Sequence, residues 1–159
     1  MKTSAVLLSA LAALAQAQLM PIDQIDQIGP IVLAGPIQIP DVKGYLVQQL
    51  PFNSAIKAPL DCNTTETYIG SRVLKGWQPT ACAAVCNEQS GQKGVSKKCR
   101  AFNSYLTYVN GQPFGSVCSM YTVTWGIQHA INNGQAHNGA NYTLGYSYLF
   151  TNASEPAYP

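Results

Sequence analysis

The chain is 159 residues long and carries nine basic against seven acidic residues, a net charge of +2. Only 10% of its residues are charged, where about 25% is usual, so Asn, Gln, Ser, Thr and Tyr must wet most of the surface. That composition excludes a nucleic-acid binder, which needs clustered Lys and Arg; the one basic cluster, Lys97, Lys98 and Arg100, reads as a solvated loop beside Cys99.

In chain order, residues 1–17 read as a secretion signal. Lys2 supplies a positive start, residues 5–14 an apolar run, and Ala15 and Ala17 a small-x-small cleavage site. Cleavage after Ala17 removes Lys2 and leaves eight basic against seven acidic residues, a net charge of +1. The run is too short to span a bilayer, which takes about 20 apolar residues, and no later stretch stays apolar for that long. A secreted, soluble product without a membrane span is expected. Three N-x-[ST] sequons, at Asn63, Asn141 and Asn152, fit the same extracellular compartment and mark N-glycosylation sites.

Residues 18–60 hold seven Ile, six Pro and no Cys. Proline at that density forbids a long helix and disfavours a central strand, so the segment is expected to be an extended arm or propeptide. Its isoleucines are too many for a purely solvated linker. Part of it should lie against the folded domain or against a partner.

From Asp61 onward the signals become those of a compact α+β unit. Residues 67–74 read as a strand and 76–79 as a turn, and Thr80 as the N-cap of a short helix over 81–90. Cys82 and Cys86 then share one helix face, with Cβ atoms about 5 to 6 Å apart. A disulfide needs roughly 3.5 to 4.5 Å, so both thiols must find partners elsewhere. Two strands offer them, over 99–109 and 117–125, joined as a hairpin through Asn110, Gly111 and a turn at 113–115. The simplest match is a nested pair, Cys86 with Cys99 and Cys82 with Cys118. A last strand over 141–151 places Tyr142, Leu144, Tyr146, Tyr148 and Phe150 on one face, the cleanest period of two in the chain. Residues 153–159 are left as a tail.

The helical Cys-Ala-Ala-Val-Cys of 82–86, the Cys-Arg-Ala-Phe-Asn-Ser-Tyr of 99–105, the Cys-Ser-Met-Tyr of 118–121 and the closing Asn-Tyr-Thr-Leu-Gly-Tyr-Ser-Tyr of 141–148 resemble the core of PAN/apple-like domains. The likeness is greatest to the version in small secreted cysteine-containing proteins of filamentous fungi, and it covers roughly residues 61–152. The resemblance implies a small antiparallel sheet packed on one short helix and stapled by the same nested disulfides. It also implies a non-enzymatic module that binds proteins or carbohydrates.

Cys62 departs from that framework, because no cysteine follows Cys118. It is left unpaired within the core, as a buried or capped thiol, as one that reshuffles, or as the bridge of a disulfide-linked dimer. An enzyme has little local support. His129 and His137 have no Cys, Asp or Glu nearby to complete a metal site, and no G-x-S-x-G elbow, phosphate loop or dinucleotide fingerprint is present. Cys82 and Cys86 enclose three residues, not the two of redox pairs. No cofactor is expected.

Recognition remains. Trp77, Tyr105, Tyr108, Tyr121, Trp125, Tyr142, Tyr146 and Tyr148 offer flat faces with a polar edge, most of them needed as core. The loop after Trp125 is densest in neutral hydrogen-bonding groups, and Trp125, Gln128, His129, Asn132, Gln135, His137 and Tyr142 form the expected ligand rim. The leading expectation is a binding module for carbohydrate or protein at a cell wall or host surface, with an effector-like role included. The alternative is a structural, wall-associated glycoprotein that self-associates through residues 18–60 and Cys62.

Overall fold

A computed structural model describes residues 20–39, 41–51 and 54–155. The expected signal segment and the last four residues of the tail lie outside the described residues. The described residues are α+β and mostly antiparallel sheet, with two short α-helices and two disulfides among them. In order it forms α1 (Ile22–Ile28), β1 (Tyr45–Gln49), β2 (Ala55–Ile56), β3 (Tyr68–Leu74), α2 (Pro79–Gly91), β4 (Ala101–Val109) and β5 (Gln112–Tyr121). A 3-10 turn (Ile127–His129), β6 (Ala130–Asn132), β7 (Gln135–His137) and β8 (Ala140–Asn152) follow. The main sheet runs β1-β8-β4-β5-β3, with β7 also on β8, and β2 pairs with β6 as a separate ribbon. None of the described helices is long and apolar enough to cross a membrane.

Of residues 18–60, expected as an arm or propeptide with part of it against the folded domain or a partner, the described ones supply α1, β1 and β2 to the fold. Pro21 and Pro30 bracket α1 instead of preventing it: the Ile25 N–H bonds the Pro21 carbonyl at 3.0 Å, and Gly29 ends the helix at φ +71°, a conformation that suits glycine. Ile22 and Ile25, one turn apart, are buried against Tyr105, Val117, Tyr142 and Leu144. Burial of each contributes roughly 1.5 to 3 kcal/mol. β1 pairs with β8 as an edge strand, from Tyr45 opposite Asn152 to Gln49 opposite Tyr148. Among the described residues a second short α-helix, lying before residue 61, thus joins the one expected from the sequence.

The helix α2 lies on the other face of the sheet. It starts at Pro79, earlier than a Thr80 cap allows, because proline fits the first helical position, where its missing N–H is not needed. Cys82 bridges to Cys118 and Cys86 to Cys99, with Cα separations of 5.6 and 5.3 Å, so each helix thiol reaches outward as its spacing requires. Around them Phe102 stacks on Phe150 at 4.6 Å and meets Tyr45 edge-on at 5.1 Å. Asn103, fully buried in β4, accepts from the Ile56 N–H at 2.9 Å and donates to the Ser147 hydroxyl and the Tyr148 carbonyl, both at 3.0 Å. One amide thereby ties the β2 ribbon to the central strands.

Two strand expectations are corrected. The hairpin turns at Asn110 and Gly111 alone, with Pro113, Phe114 and Gly115 inside β5, and β5 stops at Tyr121, short of Trp125. In β8 the aromatic row does not stay on one face. Ser104 and Leu106 of β4 oppose Tyr148 and Gly145, so three steps on β8 match two on β4, and the extra residue makes a bulge. Across it the faces exchange: Tyr142 and Leu144 pack with α1, while Tyr148 and Phe150 pack with α2.

Candidate functional site

The bulge and the topology together open a cleft. On the side of β8 away from β4, residues 140–142 pair with β7 and residues 148–152 with β1, and the Leu50 N–H reaches the Ser147 carbonyl at 2.9 Å. Among the described residues, 143–146 have no strand partner on that side. A cleft of about 690 Å³ sits there, with Thr143, Leu144, Gly145 and Tyr146 from β8 and with Tyr108, Gly111 and Asn133 from the flanking turns and strand.

Tyr146 is the unusual member. It holds φ +49°, a left-handed conformation that costs a bulky L-residue about 1 to 2 kcal/mol, and it is 39% exposed. Bulges re-aim a side chain, and this one turns an aromatic ring out of a strand whose other rings are buried. Tyr108 is on β4, with Thr143 as its cross-strand partner. Its hydroxyl pKa is raised by partial burial and by the neighbouring Tyr146 hydroxyl. The opposite wall comes from the β6–β7 turn, where Asn132 Oδ1 accepts from the Gly134 N–H at 3.1 Å. Gly134, at φ +99°, presses so closely on β8 that a Cβ would overlap the Tyr142 carbonyl oxygen. That approach sets Asn133 at the cleft. None of the residues at the cleft is acidic or basic, so it offers two rings, an amide, a hydroxyl and backbone to a neutral ligand.

The rim expected from the sequence is divided by the fold. Trp125 is buried, its Nε1–H donating to Thr67 Oγ1 at 3.1 Å, with His129 edge-on at 4.8 Å. Gln128 is exposed beside them and Asn132 serves the turn. Gln135, His137 and Tyr142 lie on the α1 flank. There Tyr142 is core, His137 is exposed with Nε2 3.0 Å from Asn138 Nδ2, and the Gln135 Oε1 is buried without a hydrogen-bond partner among the described residues. Of the aromatic candidates, Tyr105, Tyr121 and Tyr148 are buried and Trp77 is half-buried, its Nε1–H donating to the Gln38 carbonyl at 3.2 Å. Tyr108 and Tyr146 alone of that set face the 690 Å³ cleft. Sequence reasoning missed Gly111, Thr143, Leu144 and Gly145, and the one signal toward them was a glycine beside Tyr146 in an otherwise regular strand.

Two other hollows matter. A larger one, about 850 Å³, lies between Pro36, Gln38, Ile39 and Asp41 on one side and the start of α2 on the other, with the aromatic ring of Trp77 and the charge of Asp41 at it. A smaller one, about 350 Å³, brings Asp23 of α1 and His137 to one surface, the pairing of histidine and carboxylate that a hydrolase would need. Among the described residues no group of three His, Cys, Asp or Glu gathers to hold a metal ion. The sequons differ in setting: Asn63 and Asn141 are exposed, while half-buried Asn152 accepts through Oδ1 from the Ser154 N–H and hydroxyl at 3.0 and 2.7 Å. Cys62 is exposed and outside both bridges, which corrects the buried thiol. It sits in a turn where Asp61 Oδ1 accepts from the Asn63 and Thr65 N–H groups.

Comparison with protein-family models, curated proteins and solved structures returns no match to this chain. The geometry alone carries the functional reading.

Proposed function

We propose that the protein is a secreted, non-enzymatic module of PAN/apple-like type that binds neutral carbohydrate at a cell wall or host surface, through the cleft between Tyr108 and Tyr146. One observation carries this: a strained tyrosine is held out beside a second one over a cleft with no charged residue at it. Backbone strain at a bulky residue persists only where the surrounding structure enforces it, and such strain clusters at ligand sites. Aromatic faces grip the CH face of a sugar ring while hydroxyl and amide groups meet its oxygens. The two disulfides and the low charge support an extracellular setting.

The test is a glycan array followed by calorimetry on the full disulfide-bonded chain, since a fragment starting at Asp61 would lose Ile22, Ile25 and β1 from the core. A neutral oligosaccharide should bind, and Tyr146→Ala and Tyr108→Ala should each weaken it by roughly 1 to 3 kcal/mol, the range of a stacked ring. A ligand whose affinity ignores both substitutions sinks the reading.

A second reading, self-association of a structural glycoprotein, is favoured by β1. This outer strand carries no charge, and its Leu46 and Val47 are 65% and 36% exposed. Uncharged edge strands invite pairing with another chain. Size exclusion of wild type against Val47→Lys separates the two readings: a dimer that the lysine dissolves supports assembly, and a monomer in both cases removes it.

A further inference from the structure

We infer that the Asn141 sequon carries an N-linked glycan that shields the Tyr108–Tyr146 cleft in cis. The consequence for binding rests on the carbohydrate reading; the shielding itself rests on geometry. Tyr142 and Leu144 point into the core formed with Ile22 and Ile25, so the alternation of a strand puts Asn141 and Thr143 together on the opposite face. Thr143 lines the cleft, and its cross-strand partner Tyr108 walls it. Asn141 is therefore the next residue along the same row, about 7 Å from Thr143 at some 3.4 Å per residue.

The attachment point is exposed yet fixed. The Asn141 side chain is open to solvent, while its N–H donates to Asn110 Oδ1 and its carbonyl accepts from the Asn110 N–H, both at 2.9 Å. A glycan rooted there starts beside the Asn110–Gly111 turn that forms one wall of the cleft. Neither other sequon shares this position. Asn63 belongs to the turn after residue 60, and Asn152 stands at the far end of β8 with its amide oxygen engaged by Ser154.

The modification joins C1 of an oligosaccharide, carried on a polyprenyl diphosphate, to Nδ2 of Asn141. The C1–O bond to the diphosphate breaks, the C1–N bond forms, the amide gives up one proton, and the lipid diphosphate leaves with the bonding electron pair. The sugar so attached has the chemistry that the neighbouring cleft accepts. The open state is then the chain without this glycan.

The test compares wild-type chain from an N-glycosylating host with Asn141→Gln from the same host. Glycopeptide mapping should find Asn141 occupied, and hydroxyl-radical footprinting should find Tyr108 and Tyr146 oxidised several-fold less in the wild type. If the cleft is covered about nine-tenths of the time, a neutral oligosaccharide should bind the wild type roughly tenfold more weakly than Asn141→Gln. An unoccupied Asn141, or equal oxidation of Tyr146 in the two proteins, overturns the shield. Protection of Tyr146 with no saccharide bound by either protein supports the shield and overturns the carbohydrate reading instead.

Discussion

The phenolic proton of Tyr142 is shared between the two carboxylate oxygens of Asp26, at 2.8 and 3.0 Å, across 116 residues of chain. This contact latches α1 to β8, and beside it Ile25 is fully buried. Packing should outweigh the latch. Tyr142→Phe is expected to cost about 1 kcal/mol, near the low end for a bond to a charged group because Asp26 is exposed. Ile25→Ala should cost about 2 to 5 kcal/mol. Urea denaturation of both variants decides it, and equal costs would show that α1 is held by the polar contact.

Alkaline pH should unfold the protein through its buried tyrosines. Burial raises the pKa of Tyr105, Tyr121 and Tyr142 above the ordinary value of 10, and Asp26 adds to the rise at Tyr142. A raised folded-state pKa means the native state holds the proton more tightly. The stability tied to these groups is thus fully present below pH 10 and is lost progressively above it. Ellipticity followed against pH should be lost in one cooperative step above pH 10, with the ionisation of Tyr105, Tyr121 and Tyr142 appearing in the same step of the tyrosinate absorbance. Gradual ionisation of these three tyrosines with the fold intact would contradict this.

Asn103→Ala is expected to cost about 3 kcal/mol or more, because it strands the Ile56 N–H and the Tyr148 carbonyl in the interior, at about 1 to 3 kcal/mol for each unsatisfied group. Asn103→Asp should be no better, since a carboxylate cannot donate to Tyr148. Thermal or denaturant midpoints unchanged in both variants would rule out the role given to this amide.

The two bridges should differ in worth. With sequence separations of 36 for Cys82–Cys118 and 13 for Cys86–Cys99, loop closure stabilises the fold by about 3.8 and 2.9 kcal/mol in the chain-entropy model. The paired alanine variant of the longer loop should therefore be the less stable by about 0.9 kcal/mol. The reverse order in guanidinium melts would mean that packing around Cys99, not loop length, decides.

At position 146 glycine should beat alanine by about 1 kcal/mol, against the usual order in strands, because only glycine accepts φ +49° without strain. Both substitutions remove the ring, so both should weaken saccharide binding alike. If alanine proves the more stable, the bulge has relaxed and Tyr146 is not strained in the native protein.

What could be read from the sequence divides along a physical line. The α2 thiols were legible because two cysteines one helical turn apart cannot pair with each other, and the extent of β8 followed from its alternation. The face switch at Tyr146 was not, since a bulge depends on register against β4, and the local pattern of Tyr, Leu, Tyr, Tyr and Phe is the same with or without it. Ile22 and Ile25 looked like parts of an arm because their burial needs Tyr105 and Leu144, which lie far along the chain. The cleft was least legible of all. It exists because β7 and β1 share one side of β8 without meeting, and that is a property of chain routing. The expected rim failed at Trp125 and Tyr142 because aromatic residues beside a polar loop serve the interior as readily as a surface.

The position of β8 also orders the assembly of the molecule. The strand β8 lies between β1 and β4, so the first strand of the described residues has its sheet neighbour behind all the others in chain order. Until β8 follows, from Tyr142 for β4 and from Tyr148 for β1, these two strands lack the neighbour they share in the sheet. The segment from Pro79 to Tyr121 holds α2, the β4–β5 hairpin and both sulfur bridges within itself, and so can be complete beforehand. The strand β8 then enters as a keystone: the bridges can close within residues 79–121, while the pairing of β1 and of the outer side of β4 waits for residues 140–152.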